Sequence, residues 1–410
     1  MAVALRSIPQ TATLLGSARG SSLVRPVLFN LTVVRGMRAK EFKMENPMNP
    51  HKPWPYETKP YKWYHSIFNL DRTSNRIDEN SKVIVVEGNI GAGKSTLAKG
   101  LAEILGMRYY PEADFNTYYE MFSGVDLKKY AHELGPTAQP FGIKEFYEDP
   151  THALVARMQV SKYVARYYQY CEALLHLFST GQGVILERSA YSDFVFVDAM
   201  MKNGYVGRPA RRYYYELKNN TIQDLMRPHC IIYLDAPVDV CMERIAKRNI
   251  GYEVNSSVIT PEYLKTLENG YKEHYLPQME TFCQTLVYDW TEFADPEAIV
   301  EDLEKVEFDK HRYYYDPMFR DWSEFYINED WDETRVKFQK WKDWAREHTD
   351  IPETYGAGEL WVTADDNAGL RDLKERLKVE KGPYYVRPTP PYYLKPGSGA
   401  FAKFKAAFAL

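Results

Sequence analysis

Cysteine is scarce: four residues in 410, Cys171, Cys230, Cys241 and Cys283, lie far apart and form no C-x-x-C pair. That spacing suggests neither a zinc site nor a disulfide framework, and it fits a reducing compartment. No run of eighteen apolar residues occurs, so no transmembrane segment is expected. Positive charge is not in excess. A formal net charge of −4 argues against nucleic-acid binding as the main function, so no nucleic acid is expected as a partner. No internal repeat is apparent. Carboxylates are missing from the amino-terminal end, where none precedes Glu41 and residues 1–36 carry Arg6, Arg19, Arg25 and Arg35 among Ser, Ala, Thr and Leu. Dispersed arginine without acid is the composition of a mitochondrial transit peptide, with cleavage expected near Arg35 and the matrix as destination.

Apolar residues make up 45%, enough for a sizeable core, and the 33 Tyr and 8 Trp exceed what a core of this size takes up, so some are expected to face a partner. Between Met44 and Tyr64 five prolines forbid a helix. Residues 37–80 therefore read as an extended aromatic arm lying along a surface. Residues 81–300 alternate strands and helices, the pattern of a parallel sheet covered on both faces. Strands are expected at 82–87, 108–111, 183–187, 230–235 and 285–288. A long helical region is expected from Pro150 to Ser179 behind an insertion from Asn116 to Tyr147, a helix from Val238 to Arg248, and another opening at Thr260-Pro261. After about Ile299 the pattern dissolves. Residues 301–410 read as an aromatic, proline-rich extension, with short helical pieces over Asp332 to Glu347 and a Pro-Tyr string at the end. That extension either wraps onto another molecule or packs against its own core.

The most specific stretch is K-V-I-V-V-E-G-N-I-G-A-G-K-S-T-L, from Lys82 to Leu97. A β-branched run, a G-x-x-x-x-G-K-S loop from Gly88 to Ser95 and a helical pattern follow one another, the order a P-loop phosphate site requires. Gly88, Gly91 and Gly93 let the backbone of Asn89 to Thr96 curl until several N–H groups face one anion at a helix N-terminus. Lys94 is placed to reach terminal phosphates and Ser95 to hold Mg²⁺.

Other candidates sit at expected strand ends and on helices. Glu112, after the second strand, is either a general base for a hydroxyl that attacks a phosphate or a solvated loop acid. Glu187 and Arg188, at the exit of the third, either hold Mg²⁺ and neutralise a transferred phosphoryl group or form a structural ion pair. Gln159 and Arg166, two helical turns apart, suit the edge of a nucleobase, though exposed helices are full of such pairs. Arg244, Lys247 and Arg248 close one helix, either as a lid over phosphates or as cations complementing the helix dipole.

These motifs resemble the deoxyribonucleoside kinases, relatives of thymidylate kinase. Gly88 to Thr96, Pro111-Glu112 and Glu187-Arg188-Ser189-Ala190-Tyr191-Ser192-Asp193 stand where that family carries its phosphate loop, its general base and its E-R-S motif. The resemblance implies a P-loop kinase fold with a five-stranded parallel sheet and helices on both faces. It also implies a base-reading set of Gln159, Arg166 and Asp193, a sugar-binding pair in Tyr147 and Glu253, and lid arginines at Arg244 and Arg248. Ile250 departs from the pattern, since active members usually have a further arginine there. With the transit peptide, the arm and the aromatic tail, the chain is similar to the kinase-like accessory subunits of mitochondrial complex I. That implies a matrix-side location peripheral to the inner membrane and other complex I subunits as partners. It further implies an assembly or stability role without electron transfer, and a bound purine nucleotide (ATP, ADP or a dNTP) with Mg²⁺, or FAD. No flavin site is visible in the residues beyond the phosphate loop. The alternative is an active mitochondrial deoxynucleoside kinase.

Overall fold

Val83 to Val86 form the centre of the molecule because nothing polar interrupts them: β1 (Val83–Gly88) is buried along its whole length, as a strand covered on both faces must be. The computed structural model describes residues 37–39, 53–68, 70–114, 126–308, 317–322, 331–349 and 356–377. The other strands are β2 (Arg108–Tyr110), β3 (Val184–Glu187), β4 (Cys230–Asp235) and β5 (Gln284–Asp289). All pair in parallel in the order β2-β3-β1-β4-β5. Val86 lies opposite Glu187, so the register sets that carboxylate beside the start of the glycine loop. This is the carboxyl edge of the sheet, where ligands of open α/β folds collect.

Helix α1 (Trp63–Ile67) precedes the sheet and α2 (Lys94–Leu105) follows the glycine loop. Between β2 and β3 lie α3 (Ile143–Glu148) and α4 (Val155–Thr180). The latter starts later than Pro150 because the Asp149 carboxylate accepts hydrogen bonds from the Thr151 N–H and hydroxyl, at 3.0 and 2.8 Å, holding a turn. Helices α5 (Phe194–Lys202) and α6 (Arg208–Thr221) lead to β4. Between β4 and β5 come α7 (Val238–Arg248), α8 (Gly251–Val254) and α9 (Pro261–Asn269), then a π-helical turn (Gly270–Tyr275) and α10 (Leu276–Met279). Thr260 caps α9 by accepting from the Tyr263 N–H at 3.2 Å. The pattern does not dissolve at Ile299: Asp295 caps α11 (Pro296–Lys305), whose Ile299, Val300 and Leu303 are buried.

Beyond it lie α12 (Trp331–Gln339), α13 (Trp341–Thr349) and α14 (Ala364–Arg376). Of the two fates open to the extension, packing on the chain's own core holds for 331–349: Phe338 stacks on Phe178 of α4 at 5.8 Å and Trp341 meets Tyr168 at 5.2 Å. The arm is pinned to the same surface. The Tyr56 hydroxyl is 3.0 Å from His176 Nδ1 and accepts from Arg108 at 2.9 Å, while Asp71 sits between Arg76 and the fully buried Arg335 of α12. A second small core joins Leu373 of α14 to Leu127, Leu134 and Ala138 of the insertion. The expected transit peptide and its cleavage point, parts of the arm and of the insertion, and the Pro-Tyr string lie outside the described residues. No helix among the described residues is long and apolar enough to cross a membrane.

Candidate functional site

The glycine loop turns against α7 and leaves no room there for a side chain. Gly91 has φ +79°, and a Cβ would stand 2.8 Å from both the Cys241 carbonyl oxygen and Ile245 Cγ1. Asn89 fixes the loop from below, donating to the Leu264 carbonyl and accepting from the Ile90 N–H, both at 2.9 Å. Lys94 is buried and its Nζ donates to the Asn89 carbonyl at 2.7 Å. Burial, then the neighbouring Arg188, push its ammonium down to about 7 against the pull of Glu112, Glu187 and Glu87. Ser95 Oγ donates to Glu187 Oε1 at 2.7 Å and the Tyr109 hydroxyl donates to Oε2 at 2.9 Å. Serine and glutamate supply hard oxygens beside a phosphate cradle, which fits Mg²⁺ held by one carboxylate, water and ligand phosphates. No group of three or more His, Cys, Asp or Glu among the described residues could hold a metal ion by protein ligands alone.

A cavity of about 710 Å³ opens over this loop. Of the residues expected at the site, all line it except Gly88, Asn89, Asp193 and Lys247. Glu112 is its electrostatic centre. Arg166 Nη2 donates to Glu112 Oε1 at 2.7 Å, Lys162 Nζ lies 3.4 Å from the same oxygen, and Arg188 pairs with Oε2. Burial opposes the charge on Glu112, but Arg188, Lys162, Arg166 and Lys94 outweigh it and hold the carboxyl well below the usual carboxylate range. Arg188 reaches this position from a left-handed backbone, φ +62°, a conformation that costs a non-glycine residue ~1–2 kcal/mol. Its N–H donates to the Val86 carbonyl and its Nη2 to the Gly88 carbonyl, which hold it there. Asp193, fully buried, stands behind the wall: it accepts from Gln159 at 2.9 Å and Tyr214 at 2.7 Å and pairs with Arg166. It therefore aims the other two members of the expected base-reading set.

The two expected lid arginines are engaged with the protein. Arg244 donates to the carbonyls of Ala92, Trp290 and Thr291 at 3.0, 2.9 and 3.0 Å, and its guanidinium lies 4.2 Å over the Phe293 ring. Arg248 pairs with Glu253, so a cation expected on phosphates and a carboxylate expected on the sugar occupy each other. Tyr147 lines the cavity beside Tyr252 of α8, ring centres 6.3 Å apart.

Among the lining residues that the sequence did not single out are Lys162, Phe196 and Phe293. Lys162 follows Gln159 by three positions and precedes Arg166 by four, so helical spacing alone could have put it on their face. Phe196, beneath the guanidinium groups of Arg166 and Arg188 at 4.9 Å from each, had no such signal. Neither had Phe293, which the chain folds back over the loop from beyond β5.

A glycine loop, a carboxylate, an E-R-S turn and the basic end of α7 meet round one cavity on a P-loop kinase-like α/β fold. The family model for deoxynucleoside kinase matches residues 84–325, and the chain belongs to that family. Over 242 residues it is 40% identical to NADH dehydrogenase (ubiquinone) 1 alpha subcomplex subunit 10, mitochondrial, of Mus musculus, covering 58% of this chain. The match spans 66% of that relative's length. Over 232 residues it is 28% identical to the deoxyguanosine kinase of Dictyostelium discoideum, covering 56% of this chain and 72% of that one. Among solved structures, deoxyadenosine kinase from M. mycoides with bound dATP superimposes with a TM-score of 0.42 at 23% identity, over 54% of this chain and 98% of that chain.

Proposed function

We propose that this protein is an accessory subunit of mitochondrial respiratory complex I, peripheral to the inner membrane on its matrix side. In this reading it carries no electrons, supports assembly or stability, and holds a purine nucleotide with Mg²⁺ in its kinase site. Identity favours the subunit role: 40% to the complex I relative against 28% to the deoxyguanosine kinase. The residue that favours slow or absent turnover is Ile250, which stands where active members of the family usually carry a further lid arginine, and a missing cation there weakens the clamp on a transferred phosphoryl group. Lys94, the loop amides and Arg188 would bind the phosphates, and Gln159, Arg166 and Tyr147 the nucleoside. Ser95 and Glu187 would hold Mg²⁺, which would screen phosphate charge. The Ser95–Glu187 pair favours a nucleotide with Mg²⁺ over FAD, for which no residue beyond the phosphate loop speaks.

The test is native-gel fractionation of mitochondria: the protein should co-migrate with NADH dehydrogenase activity, and migration solely as a free protein overturns the reading. Ligand mass measurement on the isolated complex should then find a purine nucleotide. The intact loop and Glu112 keep a second reading in view, an active deoxynucleoside kinase that transfers the ATP γ-phosphate to a 5′-hydroxyl. It requires monophosphate products from purified protein that vanish in Glu112→Gln, and absence of product with every deoxynucleoside ends it.

A further inference from the structure

Of the eight large apolar side chains left exposed among the described residues, four fall in eight consecutive positions: Trp63 at 60%, Ile67 at 68%, Phe68 at 68% and Leu70 at 64%. Trp63 and Ile67 stand at i and i+4 on one face of α1, and Phe68 and Leu70 follow its end, the Phe68 N–H donating to the Tyr64 carbonyl and the Leu70 N–H to that of His65, both at 3.0 Å. An amphipathic helix on a globular protein normally turns such a stripe inward. Here the inward face is taken by Tyr61 and His65, both buried and stacked at 5.2 Å. The Tyr61 hydroxyl donates to the Asp71 carbonyl at 3.0 Å and Arg335 lies 3.8 Å over its ring. The stripe is thus held outward by a fixed support. Residues 58–70 contain no carboxylate, in a chain with 56 of them, and their Lys59 and Lys62 are exposed.

We propose that this face docks on the surface of a bilayer containing anionic phospholipid, with the four apolar side chains in the interfacial layer and Lys59 and Lys62 against headgroup phosphates. Trp, Phe and Leu beside lysine is the chemistry of interfacial anchors, and each lysine near an anionic surface adds attraction that fades within a Debye length. Charge is what favours lipid: the four side chains expose on the order of 400 Å² of apolar surface, and the two lysines beside them, with no carboxylate in residues 58–70, match an anionic headgroup layer. Lipid contact goes beyond the subunit role and does not depend on it.

The test is flotation of the full chain with phosphatidylcholine vesicles, with and without diphosphatidylglycerol. Wild type should float with the anionic vesicles, less as salt rises. Trp63→Ser with Ile67→Ser should lower its partition at least about tenfold while leaving the melting curve unchanged, because neither side chain supports the core. Wild type that ignores anionic vesicles overturns the proposal. So does a double variant that floats as well as wild type, which assigns the contact elsewhere, for instance to the arginines of residues 1–36. Loss of the double variant from the high-mass native-gel band, with wild type indifferent to vesicles, overturns it in favour of a protein partner. Failure of wild type to enter that band bears on the subunit role alone.

Discussion

Lys94 carries the strongest residue-scale consequence. With its ammonium pushed down to about 7 in the free protein by burial and Arg188, the side chain is largely neutral above that pH, whereas phosphates at the cradle favour the charged form. Nucleotide binding should therefore take up a proton above pH 7, and affinity should weaken up to about tenfold per pH unit there while staying flat below. Titration calorimetry in buffers of different ionisation heat reads the proton directly. Lys94→Arg, charged throughout, should abolish the uptake, and Lys94→Ala should lose nucleotide retention while only mildly perturbing assembly. Uptake unchanged in Lys94→Arg would place the titrating group elsewhere. The motif alone located Lys94, since its spacing from the glycines is local. That three cations converge on Glu112 was not legible, because Lys162, Arg166 and Arg188 come from a helix and a strand exit separated in sequence.

At the scale of elements, Asp71 joins the arm to α12 across more than 260 positions of sequence. Its two oxygens accept from Arg76 at 2.5 Å and from Arg335 at 2.8 Å. Asp71→Asn leaves a fully buried guanidinium without its counter-charge and should cost ~3–5 kcal/mol in urea unfolding. Burial works against the Asp71 charge, but hydrogen bonds from Arg76 and Arg335 overcome it and lower its pKa in the folded state. A lowered carboxyl stabilises the fold at pH values above its unfolded value, about 4, and loses that contribution as pH falls through the folded value. Asp71→Asn should therefore flatten part of the acid limb of stability against pH; an unaltered limb would mean that other carboxylates set it. The five strands were legible to within a residue or two, the three inner ones because burial on both faces leaves apolar runs. The arm's attachment was not, since proline excludes helix without saying what the chain rests on.

For the molecule as a whole, residues 331–349, beyond the family-matched segment, pack as core. Phe178, near the end of α4, is covered by Trp331 and Phe338 from that stretch and by Trp322 from within the segment, and the Tyr168 hydroxyl is 2.8 Å from Thr349 Oγ1. A chain ending at residue 330 should uncover this aromatic face, bind a hydrophobic dye and aggregate. Cooperative melting of the cut chain as a soluble monomer would show instead that the sheet and its helices suffice. Aromatic abundance had two possible destinations, a partner or the chain itself. Folding divides it: most of the described rings pack inward, while Trp63, Phe68, Phe293 and Trp361 stay out.

The order strand, glycine loop, helix, together with the carboxylate and E-R-S motifs, was determined by sequence alone, because each depends on neighbours within about ten residues and on steric rules of the backbone. Tertiary structure decided how many cations Glu112 faces, that Asp193 stands behind the base-reading pair, that Arg248 and Glu253 occupy each other, and which side of α1 looks outward. Those are questions of distance between segments remote in sequence, and charge balance or exposure exists only once such segments meet.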